Sequence, residues 1–108
     1  MLHRPAVANY AVIWTAAGDE AKPVAGRLEV TDRGIILLGG SRSAERRLTI
    51  PRPEILSVRR TRESIGPLPA IALDAASVGT ILIATVAGVG CRSEILELLQ
   101  RLAAAAQA

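Results

Sequence analysis

Chemistry in this 108-residue chain has few side chains to start from: one histidine, His3, and one cysteine, Cys91. A cysteine nucleophile needs a base beside it, and His3, next to Pro5 at the chain end, is expected to be disordered rather than to serve. Cys91 is expected to lie near a helix start, a position that lowers a thiol pKa, but packing is its ordinary role. Zinc takes three or four ligands, and one cysteine with one histidine does not supply them. Asp32 and Asp74 would matter only if a cleft gathered either of them, or Cys91, with a basic group. Gly88 and Gly90 precede a helical pattern, yet their spacing is not that of a phosphate-binding loop, and a strand-to-helix turn needs glycine in any case. The expectation is a protein that is not an enzyme, with no catalytic, cofactor-binding or metal residues.

The strongest compositional feature is cationic. Arg42, Arg46, Arg47, Arg52, Arg59, Arg60 and Arg62 fall within residues 42–62, where Glu45 and Glu54 are the only acids, and the chain carries a net charge of +3. Such a balance favours anionic partners without identifying one. Arg46, Arg47, Arg52, Arg59, Arg60 and Arg62 are the candidate contacts to an anionic partner, either a membrane surface or an acidic protein. Nucleic acid is disfavoured, because single-strand readers stack bases on aromatic rings and this stretch has none. The plainer reading is a solvated face with charges that guard sheet edges. Density in sequence is not a patch in space: in a strand Arg60 projects with Leu56 and Val58 while Arg59 projects with Ser57.

The elements that position these residues follow from periodicity. Residues 6–16 read as a strand with Tyr10, Val12 and Trp14 on one face and Ala11 and Ile13 on the other. The chain has no phenylalanine, so Trp14 is expected to anchor the core. GDEAKPV is a polar loop. GRLEVTDRGIILLGG reads as a hairpin turned at Asp-Arg-Gly, with Gly34 supplying a positive φ. After SRSAE, RRLTI is a short strand with Leu48 and Ile50 on one face. Pro51 and Pro53 then force a bend, since proline lacks the donor that regular pairing needs. EILSVRR resumes as a strand and RESIGPLP reads as a loop. Within Thr61 to Pro69, Ile65 and Leu68 are the candidate interaction residues, with folding back as a loop cover the ordinary alternative. PAIALDA sets Ala70, Ala72 and Ala75 against Ile71 and Leu73, and TILIATV is the last and most apolar strand. From Ser93, a plausible N-cap, Ile95, Leu98, Leu99 and Leu102 define one helical face, with Glu94 and Glu97 in the first turn where the dipole favours carboxylates.

Two stretches need a membrane check. The N-terminal apolar run is broken by Pro5 and Asn9, unlike a secretory core segment. Ala75 to Cys91 is uncharged, but it is short of the roughly 20 residues of a spanning helix and rich in glycine and β-branched residues. With one cysteine there is no internal disulfide, so a reducing compartment, the cytoplasm, is the natural setting.

Seven strands followed by one amphipathic helix resemble the pleckstrin-homology (PH) superfold, in its GRAM-like and bacterial branch. GRLEVTDRGIILLG is similar to the family's strand-turn-strand, IPRPEILSV to its passage from the fourth strand into the fifth, and TILIATVAG with SEILELLQRL to its last strand, loop and closing helix. The resemblance implies a mainly β fold, a seven-stranded antiparallel split barrel capped by a C-terminal helix. It covers roughly residues 8–104 of a single domain spanning residues 1–108, with strands over about 6–86 and the helix over about 92–106. In that family the helix plugs one end of a bent barrel, a task that would fall to Ile95, Leu98, Leu99 and Leu102. The family's lipid-binding members place basic residues around the first hairpin. Here Lys22 and Arg27 stand there, but Glu29 replaces the final arginine and Asp19 and Glu20 crowd the same loop. A weaker similarity, of Arg42 to Arg46 and Asp74 to Gly79 to PilZ domains, lacks the serine, replaced by Ala76, and the strands that should follow. The expected function is a non-enzymatic binding or assembly module in a bacterial cytoplasm, acting on a protein partner or a second copy through sheet edges or loops. The alternative is peripheral association with anionic lipids at the inner face of the membrane through Arg42 to Arg62.

Overall fold

A computed structural model describes residues 6–16, 23–41, 44–86 and 91–107. Its strands are β1 (Ala6–Ala16), β2 (Val24–Thr31), β3 (Gly34–Ser41), β4 (Ala44–Pro51), β5 (Ile55–Ile65), β6 (Leu68–Ala75) and β7 (Gly79–Thr85), with a 3-10 turn at Arg52–Glu54 and helix α1 (Cys91–Gln107). All seven strands form one antiparallel sheet in the order β4-β3-β2-β1-β7-β6-β5. This is the expected fold class, a mainly β half-barrel with a C-terminal helix.

The sheet curls because its inner face is the apolar one. Ile35, Leu37 and Ile50 from one end of the strand order share a single buried cluster with Ile55, Val58, Ile71 and Leu73 from the other. Trp14, 1% exposed, fills that cluster from β1, as a chain without phenylalanine requires. Each such aliphatic side chain contributes roughly 1.5 to 3 kcal/mol when fully buried, so closing the sheet on itself is the stable arrangement. Two backbone bonds fix the closing corner: Arg52 N–H donates to Arg33 O (2.7 Å) and Ala76 N–H to Glu54 O (2.9 Å). The 3-10 turn thereby ties the β2–β3 turn to the β6–β7 turn. Pro51 and Pro53 put the bend here, as expected, although Pro51 still stands opposite Gly34 at the end of β4.

Gly26 and Gly39 face each other across β2 and β3. A Cβ on Gly26 would lie 1.8 Å from Leu38 O. The same carbonyl accepts the indole N–H of Trp14 at 3.2 Å, so the missing side chain lets an indole on β1 reach over β2 to β3.

Five expectations are corrected. RESIGPLP is not a loop: β5 runs to Ile65 and β6 starts at Leu68, joined by Gly66 and Pro67 alone. Gly66 has φ +60°, and proline at the second central position cannot, so this is the II′ arrangement that suits a two-residue hairpin. Ala75 sits with Ile71 and Leu73 in the main core, while Ala70 is part of a separate cluster with Ile65 and Ala84. Leu56 does not share a face with Val58: it is 53% exposed, because β5 bulges between Ile55 and Ser57 and turns both Ile55 and Val58 inward. The helix begins at Cys91, so Ser93 lies inside its first turn rather than capping it. Its buried face is centred on Ile95, Leu96, Leu99 and Ala103, with Leu98 and Leu102 only half-buried.

Candidate interaction surface

The six candidate arginines do not share one face. Arg46 lies on the inner face of β4, its guanidinium 5.3 Å from the centroid of the Trp14 ring, a cation–π distance. Arg47, the next residue, is exposed on the outer face. Arg52 belongs to the 3-10 turn and is half-buried beside an apolar groove of about 220 Å³ formed with Val30, Leu98 and Leu102. Arg59 projects from the outer face of β5, where its Nε donates to Asp74 Oδ2 at 3.3 Å. Arg59 and Arg60 nevertheless both line a groove of about 470 Å³ between β5 and α1, with Ser93, Leu96, Glu97 and Gln100. Arg62 is exposed where the β5–β6 register slips between Arg60 and Ser64. Strands β4 and β5 close opposite ends of the strand order, and alternation along each sends neighbouring arginines to opposite sides. Arg42, Lys22, Asp19, Glu20, His3, Gly88 and Gly90 lie outside the described residues, as does the side chain of Cys91.

Ile65 and Leu68 are turned onto the molecule. Ile65 is 8% exposed and packs with Ala70 and Ala84, and Leu68 adjoins the same cluster together with Ile13 and Leu82. The hairpin end thus covers the outer face of the sheet, which explains why alanines stand at 70 and 84: a larger side chain would lift the hairpin away.

Asp74 is the best-connected carboxylate. On the outer face Ser57 Oγ donates to its Oδ2 (2.5 Å) and Thr80 Oγ1 to its Oδ1 (2.6 Å), with Arg59 completing the set. The hydrogen bonds from Ser57 and then Thr80, with the smaller help of Arg59, hold its carboxyl below the usual range, against the opposing effect of burial. A carboxylate that accepts from Ser57 on β5 and Thr80 on β7 is a strap across β5, β6 and β7. Asp32, in the β2–β3 turn, lines the groove beside Arg52 together with Arg101, so that cleft brings one carboxylate to two basic groups. Among the described residues no group of three or more His, Cys, Asp or Glu side chains is placed to hold a metal ion.

The two edges of the sheet differ, and this asymmetry was not legible in the sequence. The free side of β5 carries α1, and Gln100 Nε2 donates to Val58 O at 3.1 Å, occupying an outward-pointing backbone acceptor. Along β4 the principal neighbour is β3, and no described element runs along the other side. Among the described residues no second strand pairs with β4, which leaves it an edge strand of the sheet. Among the described residues no helix is long and apolar enough to cross a membrane; the stretches checked above form β1 and, as far as they are described, the end of β6, a turn and β7.

No family model and no curated protein matches the chain. Solved structures do. The C-terminal domain of an unknown protein from Leishmania infantum superposes with a TM-score of 0.66 at 16% identity, covering 92% of this chain and 84% of that one. A truncated linker-DH/PH structure of p115-RhoGEF superposes with a TM-score of 0.67 at 15% identity, covering 93% of this chain. The present chain spans 29% of that longer one. The likeness is one of fold, and with the curled seven-stranded sheet and closing helix it makes this a PH-like fold.

Proposed function

We propose that the protein is a non-enzymatic binding module of the GRAM-like, bacterial kind, working in the cytoplasm and engaging a protein partner through the open edge of β4. The observation that carries this reading is the difference between the two edges: α1 and Gln100 cover β5, while no described element runs along the outer side of β4. An unprotected edge strand is an aggregation hazard unless guarded or used, and strand addition is a common way for a sheet to bind a peptide. The phrases IPRPEILSV and TILIATVAG support the narrower kinship. Dispersal of the six arginines over both faces of β4, the 3-10 turn and β5 removes the main argument for a membrane-binding face.

Co-sedimentation with vesicles of phosphatidylcholine, alone or mixed with phosphatidylserine, separates the two classes of partner. The module described here stays in the supernatant with both. Sedimentation that needs the anionic lipid and fades with salt would transfer the function to the membrane surface.

A further inference from the structure

Helix α1 leans on β5 and the 3-10 turn, and its other flank forms a groove of about 220 Å³ with the end of β2 and the β2–β3 turn. The walls are Val30, Leu98 and Leu102; Val30 is buried and both leucines are half-buried. Asp32, Arg52 and Arg101 line the same groove, so an aliphatic floor meets groups of both charges. Backbone bonds bring Asp32 and Arg52 to it. Arg52 N–H donates to Arg33 O at 2.7 Å, which sets the 3-10 turn against the turn that carries Asp32. Thr31 Oγ1 pins that turn by accepting from Arg33 N–H (3.1 Å) and donating to Gly34 O (3.2 Å). Among the described residues the ion pairs are those of Arg59 with Asp74 and of Arg101 with Glu97, so Asp32 and Arg52 do not neutralise each other.

We propose that this groove binds a free aliphatic α-amino acid of the size of valine or leucine. Its carboxylate meets Arg52, its ammonium meets Asp32, and its side chain lies on Val30, Leu98 and Leu102. The site is independent of the β4 edge and adds a small-molecule ligand to a module read as binding protein. Size is the first reason: the groove is smaller than the roughly 300 to 1,000 Å³ of pockets that hold drug-sized ligands, and suits a molecule of one residue's bulk. Charge is the second. A half-buried guanidinium grips a carboxylate through two N–H groups. A ligand with the carboxylate alone would face Asp32 as a like charge, and one with the ammonium alone would face Arg52 and Arg101. A free α-amino acid carries both charges on one carbon beside an apolar branch, whereas a peptide terminus offers one backbone charge and a peptide interior none. Arg101 is held by Glu97 one turn back, which leaves Arg52 as the anchor.

The test is a titration of the whole isotope-labelled chain at pH 7, followed by its backbone amide resonances. Four compounds are used: L-leucine, 4-methylpentanoate, which lacks the ammonium, 3-methylbutylamine, which lacks the carboxylate, and glycine, which lacks the side chain. Leucine is expected to give saturable shifts at Val30, Thr31, Arg52, Leu98 and Leu102, and each analogue to bind about tenfold more weakly, having lost one charge-assisted bond or the apolar contact. Asp32→Asn should bring leucine down to the level of 4-methylpentanoate, and Arg52→Gln down to that of 3-methylbutylamine, each variant's amide spectrum reporting that it is folded. If a variant does not fold, the four compounds on the unaltered chain decide the matter. Equal binding of leucine and 4-methylpentanoate would make the ligand an aliphatic acid. Equal binding of 3-methylbutylamine would remove Arg52 from the site, and equal binding of glycine would remove the apolar floor. Each of these overturns the proposal, as do shifts confined to the groove between β5 and α1, or no saturable shift with leucine.

Discussion

Asp74 illustrates how far a single residue can be read. In sequence it is one of the scattered carboxylates a cleft might recruit; in the fold it is a hub for Ser57, Thr80 and Arg59. Nothing in its own neighbourhood of sequence announces Ser57 or Thr80, because their approach depends on two strand registers, one of them shifted by the β5 bulge. Its side chain is 26% exposed, so the hydrogen bonds to a charged acceptor are discounted to about 1 to 2 kcal/mol in total. Asp74→Ala should lose that much in urea unfolding at neutral pH. The folded-state pKa is lowered, so this contribution is fully present above the unfolded value of about 3.9 and is lost as pH falls through the folded value. The gap between wild type and variant should therefore close in acid; a gap that persists at low pH would mean that packing, not charge, is what Asp74 supplies. Trp14 was legible as a core anchor because no phenylalanine competes for the role. Its bond to Leu38 O was not, since it depends on the absence of a side chain at Gly26.

At the scale of elements, alternation located β1, β2 and the Asp-Arg-Gly hairpin because one face of each is buried. It failed where that alternation breaks. The bulge at Leu56 puts two apolar residues of unlike parity inside, and the Gly66-Pro67 turn looks like loop composition although it joins strands directly. The helix was found by its period but rotated, since Leu96 and Ala103 are chosen by contact with β5 and the 3-10 turn rather than by the helix alone. Two substitutions test these placements. Leu99→Ala, at a fully buried position of α1, should cost about 2 to 5 kcal/mol in chemical denaturation, and Leu98→Ala distinctly less; equal costs would restore the face expected from sequence. Gly26→Ala drives a methyl into Leu38 O and should cost about 1 to 3 kcal/mol or more, with a change in Trp14 fluorescence as its indole is displaced. A neutral Gly26→Ala would contradict the close approach of β2 and β3.

For the whole molecule, element order indicated seven strands and a closing helix, the family resemblance implied that the sheet is bent into a split barrel, and the superposed structures share that fold. The proposed docking edge was less legible, because an edge is defined by the strand order, and only the assembled sheet shows that α1 sits on β5 while no described element runs along the outer side of β4. The six candidate arginines are spread over both faces of β4, the 3-10 turn and β5 rather than gathered on one face. Site-specific photo-crosslinking in the producing cell is the most direct test of the central claim. With a photoreactive residue at Thr49 on β4, or at Arg62 on β5, the protein is illuminated in place. The expected result is a discrete crosslinked protein adduct from Thr49 and none from Arg62. Adducts from Arg62 alone, or adducts to lipid from either position, would contradict it.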